Sequence, residues 1–120
     1  MSLQYALELD GTAAGSDRAA PGVFVSVRPT SERWARVVEE RYRVRPRVSL
    51  IFDVDKFELR DLGVQTMLSE VARVLRDQDG DAVMLFEGET ALLVRRGGRL
   101  ELSDNPFWTP DLRAMVEPCH

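Results

Sequence analysis

Between Arg47 and Trp108 the chain sets out a strand, a long amphipathic helix and two tight hairpins in immediate succession. Val48, Leu50, Phe52 and Val54 recur with the period of two that puts one strand face into a core. Val64, Met67, Leu68, Val71, Val74 and Leu75 then recur with the 3.6-residue period of a helix. That spacing predicts a helix over 62–77, with Asp61 as its N-cap and Asp77-Gln78-Asp79-Gly80 as the turn that ends it. Ala82 to Phe86 shows little alternation, as a strand central in a sheet does. Glu87-Gly88-Glu89 and Arg96-Gly97-Gly98 are hairpin turns, because glycine supplies the positive φ angles that such turns need. They lead into strands at 90–95 and 99–103. Three strands joined this way form an antiparallel meander, and a long helix with one apolar stripe must bury it on a sheet.

The flanking segments extend the same pattern. Leu3, Tyr5, Leu7 and Leu9 alternate, which predicts a strand over 3–9. Gly11 to Gly22 is small and polar, ends in Pro-Gly, and reads as a loop. Val23, Val25 and Val27 predict a strand over 23–28. Thr30 or Ser31 then caps a helix over 31–43 with the stripe Trp34, Val37, Val38 and Tyr42, and Pro46 forbids its continuation. Ile51 faces away from its strand's apolar side, so the opposite sheet face carries some cover. Thr109-Pro110 opens a short helix over 109–115. The predicted architecture is α+β: a mainly antiparallel sheet of about six strands with two long helices and a short C-terminal one, the helices in a single layer. All 120 residues are expected to form one domain.

Charge is unevenly placed. From Arg28 to Arg47 seven Arg stand against Glu32, Glu39 and Glu40, a net of +4; from Asp77 to Glu89 five acids stand with no base. A solvated surface of mixed sign accounts for this, and so does an acidic surface that meets a cationic partner. The net charge of −4 and the lack of a recognition motif beside the Arg-rich segment argue against nucleic acid. No run reaches the roughly 18 apolar residues of a membrane span. The one cysteine, Cys119, allows no intramolecular disulfide, and no basic n-region or long apolar run marks the start, so a cytoplasmic location is expected.

Three constellations invite a chemical reading. Leu50-Ile51-Phe52-Asp53-Val54-Asp55 ends an apolar strand in D-x-D, as haloacid-dehalogenase phosphatases do to aim two carboxylates at magnesium and phosphate. Alternation puts Asp53 and Asp55 on one face, but Lys56 departs from that pattern and no parallel β-α-β units are visible to hold it. Asp77-Gln78-Asp79-Gly80-Asp81 resembles a calcium loop, yet Ala82 and Gly88 stand where that loop needs glycine and a bidentate acid. Cys119-His120 supplies too few ligands for zinc, and with no other histidine a histidine-based triad is excluded. No metal or other cofactor is expected. Trp34, Phe107 and Trp108 read as packing.

Beyond this, RVSLIFDVDKF (47–57), TMLSEVARVL (66–75), GDAVMLFEGETALLVRRGGRLEL (80–102) and FWTPDLRAMV (107–116), in that order and spacing, resemble the SitI-type immunity proteins. Those are the protective partners of swarming-inhibition toxins in bacterial polymorphic-toxin systems. The opening SLQYALEL is similar to the way such proteins begin, whereas the segment after it lacks the helix usual there. The resemblance implies a non-enzymatic protein that occludes a cognate toxin; a monomer or weak homodimer is expected. Asp55-Lys56-Phe57 and Phe86-Glu87-Gly88-Glu89 match the most recognisable strings. Asp55, Lys56, Glu87 and Glu89 are then candidate partner contacts, with both Phe residues in packing. The alternatives are a magnesium-dependent phosphohydrolase built on Asp53 and Asp55, and a regulatory or oligomerisation module.

Overall fold

The structure is a computed structural model that describes residues 2–12 and 15–119. His120, half of the Cys119-His120 pair, lies outside the described residues. In chain order the elements are β1 (Ser2–Leu9), β2 (Arg18–Ala20), β3 (Val23–Pro29), α1 (Glu32–Tyr42), β4 (Val48–Asp55), α2 (Arg60–Asp77), β5 (Ala82–Phe86), β6 (Thr90–Arg96), β7 (Arg99–Leu102) and α3 (Pro110–Val116), then a short 3₁₀ turn over Glu117–Cys119. The strands form one sheet in the order β2-β3-β4-β1-β5-β6-β7. Every pairing is antiparallel. The fold is α+β, with seven strands where the sequence predicts about six. The added strand, β2, falls in the segment read as loop. Its three residues pair Arg18 with Val25 and Ala20 with Val23, so β3 supplies the order that Arg-Ala-Ala lacks by itself.

The main core lies between one sheet face and α2. Tyr5, Leu7 and Leu9 of β1, Leu50, Phe52 and Val54 of β4, and Val64, Met67, Leu68, Val71, Val74 and Leu75 of α2 are all buried in it. The α2 stripe therefore packs as its period predicts, each side chain contributing roughly 1.5–3 kcal/mol. Trp108 and Val116 close the same core from the C-terminal segment. Trp108 also donates its indole N–H to the Leu92 carbonyl at 2.7 Å.

Two expectations need correction. The helices are not a single layer: α1 packs on the opposite face, where Val38 and Val44 meet Val83 and Leu85, with Trp34 and Tyr42 at the margin. Those strand residues alternate with Ala82 and Met84, which enter the main core, so β5 is apolar on both faces. That double burial is why Ala82–Phe86 lacks alternation. The second correction concerns α2, whose N-cap is Leu59 and not Asp61. Leu59 offers no side-chain acceptor; instead the Asp55 carboxylate accepts the Leu59 N–H at 2.8 Å, and Asp61 sits in the first turn, where its charge suits the helix dipole.

The other caps follow the sequence. Ser31 Oγ accepts the Trp34 N–H at 3.2 Å, and Thr109 Oγ1 accepts the Leu112 N–H at 3.3 Å with Pro110 in the first turn. Arg43 ends α1 in a left-handed conformation (φ 60°) and donates its N–H to the Glu39 carbonyl. Asp81, the last acid of the calcium-like run, takes the Gly97 N–H at 3.0 Å and so pins the β6–β7 turn. Among the described residues no helix is long and apolar enough to cross a membrane.

Candidate functional site

The structure brings the two recognisable strings to one end of the sheet. β1 lies between β4 and β5, and its first residues run beside the end of each. Ser2 pairs with Asp55 and Gln4 with Asp53, while Tyr5 pairs with Phe86. Gln4 and Glu87 continue that pairing: the Glu87 N–H donates to the Gln4 carbonyl at 2.9 Å, and the Gln4 N–H donates to Glu87 Oε1 at 3.1 Å. The connection after β4 and the turn after β5 thus flank the start of β1 on either side. Lys56, Glu87 and Glu89 are exposed and Asp55 is half-buried. Glu89 belongs to the turn that α1 approaches, since the Tyr42 hydroxyl donates to its carbonyl at 3.3 Å.

Asp53 and Asp55 share a face, as alternation requires, but each is engaged in holding structure. Asp53 Oδ1 accepts from Ser2 Oγ at 3.3 Å and Gln4 Nε2 at 3.4 Å, and Asp55 caps the entry to α2. β4 lies between two antiparallel neighbours. The phosphatase arrangement instead presents its two carboxylates from the end of a strand in a parallel sheet. Among the described residues no three His, Cys, Asp or Glu side chains converge as a metal site.

Phe57 departs from expectation. It is 70% exposed, and Leu59 and Leu62 are 46% and 45% exposed, whereas Phe86 does pack, with its ring centroid 4.9 Å from that of Tyr5. The reason is the sharp exit from β4. Once Asp55 caps Leu59, the residues between them bulge outward and Phe57 has no facing element. Large apolar groups left in water beside charged ones are typical of a contact surface.

A buried polar cluster went unforeseen. Glu8, on the α1 side of β1, is 2% exposed. It accepts from Ser49 Oγ and from the Trp34 indole N–H at 3.0 Å, and Ser49 in turn lies 2.9 Å from Thr30 Oγ1. The only trace in the sequence is a glutamate at a strand position whose cross-strand partner is Ser49. Burial raises the Glu8 pKa above the ordinary 4.5, against the two hydrogen bonds, which lower it. A raised carboxyl favours the neutral form, so its contribution to stability is present below pH 4.5 and is lost as the pH rises through the shifted value. Relative to Glu8→Gln, the wild type should lose stability as the pH rises above 4.5 and through the shifted value. Urea midpoints taken across the range for both proteins check this, and a constant difference would refute it.

The family whose model matches the chain is described as SitI3-like, and the match runs over residues 3–112. Comparison with curated proteins and with solved structures returns no match. The matched span takes in β1 from Leu3 onward, all of β2 to β7, and both flanking strings, Asp55-Lys56-Phe57 and Phe86-Glu87-Gly88-Glu89. The chain belongs to the SitI3-like family.

Proposed function

We propose that this protein is an immunity protein that binds a cognate bacterial toxin in the cytoplasm and neutralises it by occlusion, without catalysing a reaction. The observation that carries the reading is the family match across residues 3–112. The geometry supports it in a second way. A sheet held on both faces is a rigid platform, and two loops project from one of its ends with exposed Lys56, Phe57, Glu87 and Glu89. Occlusion needs a pre-formed surface of apolar anchors rimmed by charge, and no reactive group. In this reading Phe57 and Leu59 are anchors, while Asp55, Lys56, Glu87 and Glu89 form the rim.

The test is co-expression with the toxin encoded beside this gene, scoring survival and recovery of a complex. Survival with a complex is the expected result. Death despite well-folded protein, with no complex recovered, refutes the reading for that pair, and survival without a complex points to an enzymatic or indirect protection. Rim charges act on encounter, so Glu89→Lys should slow association several-fold, with a steeper effect at low salt and an unchanged urea midpoint. Glu87→Lys should slow it similarly and also cost about 1 kcal/mol of stability, because it removes the acceptor of the Gln4 N–H. Stopped-flow association and urea denaturation separate the two effects.

A further inference from the structure

A groove opens at the same end of the molecule, on the side of α2 and α3. It has a volume of about 470 Å³ and is lined by Tyr5, Phe86, Phe107, Arg60, Asn105 and Thr90 among others. A second hollow of about 410 Å³ continues from it, shares Tyr5, Arg60 and Phe107, and adds Asp61 and Asp111. The floor is aromatic, with the Tyr5 ring centroid 4.9 Å from that of Phe86 and 5.6 Å from that of Phe107. Volumes of this order are those of binding sites, and the lining sets aromatic side chains beside charged and polar ones.

Two polar groups in it lack partners. Tyr5 is 3% exposed, and among the described residues its hydroxyl has no hydrogen bond. The hydroxyl itself reaches solvent, and Tyr5 lines both hollows, so a ligand acceptor can meet it there. Burial raises its pKa above 10.0, with the Arg60 charge opposing and Glu87 adding, so it stands as a donor. Arg60 lines both hollows and forms no ion pair among the described residues. A guanidinium beside a free hydroxyl is a receptor for a carboxylate. Asn105 lines only the first hollow and Asp61 and Asp111 only the second, so an anion belongs by Arg60 on the Asn105 side, and peptide N–H groups or a basic flank belong near the two acids.

We propose that this groove receives a segment of a protein partner that presents a large apolar side chain next to a carboxylate, the ring on Tyr5, Phe86 and Phe107 and the carboxylate between Arg60 and the Tyr5 hydroxyl. The inference rests on the immunity reading in so far as the partner is the toxin. It adds a second point of attachment beneath the exposed loops, assembled from residues far apart in the chain.

The probes are acetyl-Phe-Asp-amide, its Asn counterpart, and 3-phenylpropanoate, each titrated into isotope-labelled protein and followed by amide chemical shifts. The Asp peptide should shift the amides of Thr90, Asn105 and Phe107 and bind about tenfold more tightly than the Asn peptide, as one charge-assisted bond implies. That preference should vanish in Arg60→Gln and weaken in Tyr5→Phe, which keeps the ring. Equal binding of the two peptides, shifts centred elsewhere, or no shifts at millimolar concentration would overturn the proposal. Tighter binding of 3-phenylpropanoate than of the Asp peptide would overturn the peptide assignment in favour of a free organic acid. These titrations need no toxin. Peptide binding without protection in cells would sink the immunity reading alone, and protection without peptide binding would sink the groove alone.

Discussion

Gly63→Ala is expected to destabilise the protein by about 3 kcal/mol or more, although alanine is the better helix former by roughly 1 kcal/mol. Gly63 lies in the first turn of α2, where the helix meets the turn between β2 and β3. A Cβ on it would stand 2.2 Å from the Gly22 carbonyl oxygen, 2.8 Å from that carbonyl carbon and 3.0 Å from Val54 Cγ1. Two of these atoms are backbone. The Gly22 oxygen is also fixed by the Asp55 N–H at 2.8 Å. The backbones are in close approach from both sides, since a Cβ on Gly22 would in turn meet the Leu59 oxygen at 2.6 Å and the Gly63 nitrogen at 2.7 Å. The helix must therefore tilt away from the sheet, and the stripe from Val64 onward loses its fit. The same tilt would displace Arg60 and open the groove. Urea denaturation measures the loss; an unchanged or higher midpoint would mean that the turn yields and that this backbone contact is not what seats α2.

Arg95→Ala should cost about 3 kcal/mol, a large effect for a residue in a strand full of valine and leucine. Arg95 is only 4% exposed. Its guanidinium donates to the Leu75 carbonyl at 2.5 Å, to the Gly80 carbonyl at 2.9 and 3.1 Å, and to the Gln78 carbonyl. Those carbonyls belong to the last turn of α2 and the loop that follows it, where a helix leaves acceptors unpaired and its dipole favours a cation. Arg95 thus ties the end of α2 to β6. Alanine would strand several buried acceptors at once, and lysine, with a point charge in place of a planar fork, should recover only part of the loss. Hydrogen exchange across 76–81 should quicken in both variants, and a destabilisation below about 1 kcal/mol for alanine would show that water replaces the guanidinium without penalty.

Both effects depend on contacts that no local pattern announces, and the same division runs through the whole molecule. The α2 stripe, the β5-β6-β7 meander, the Ser31 and Thr109 caps and the strand faces of β1 and β4 were legible because their causes are local. A 3.6 or 2 period records which side of an element meets a core, and a glycine records where the chain must turn. The family was legible for a related reason, since its strings coincide with those elements. What the tertiary structure decided is adjacency. β2 exists because β3 pairs with it, not because Arg18-Ala19-Ala20 favours a strand. The side on which α1 packs was undetermined, since an amphipathic helix will cover either face of a sheet whose central strand is apolar on both. The burial of Glu8 and Arg95 follows from partners 41 and 15–20 residues away in sequence, Ser49 for the one and the α2 terminus for the other. Phe57, read as packing, stands in water because the Asp55 cap turns the chain before any element can face it. Tyr5, Arg60, Phe86 and Phe107 meet only because β1 threads between β4 and β5 with α2 and α3 across its end. Burial and charge proximity are pair properties of a folded chain, and a one-dimensional pattern carries them only where the pair is close in sequence.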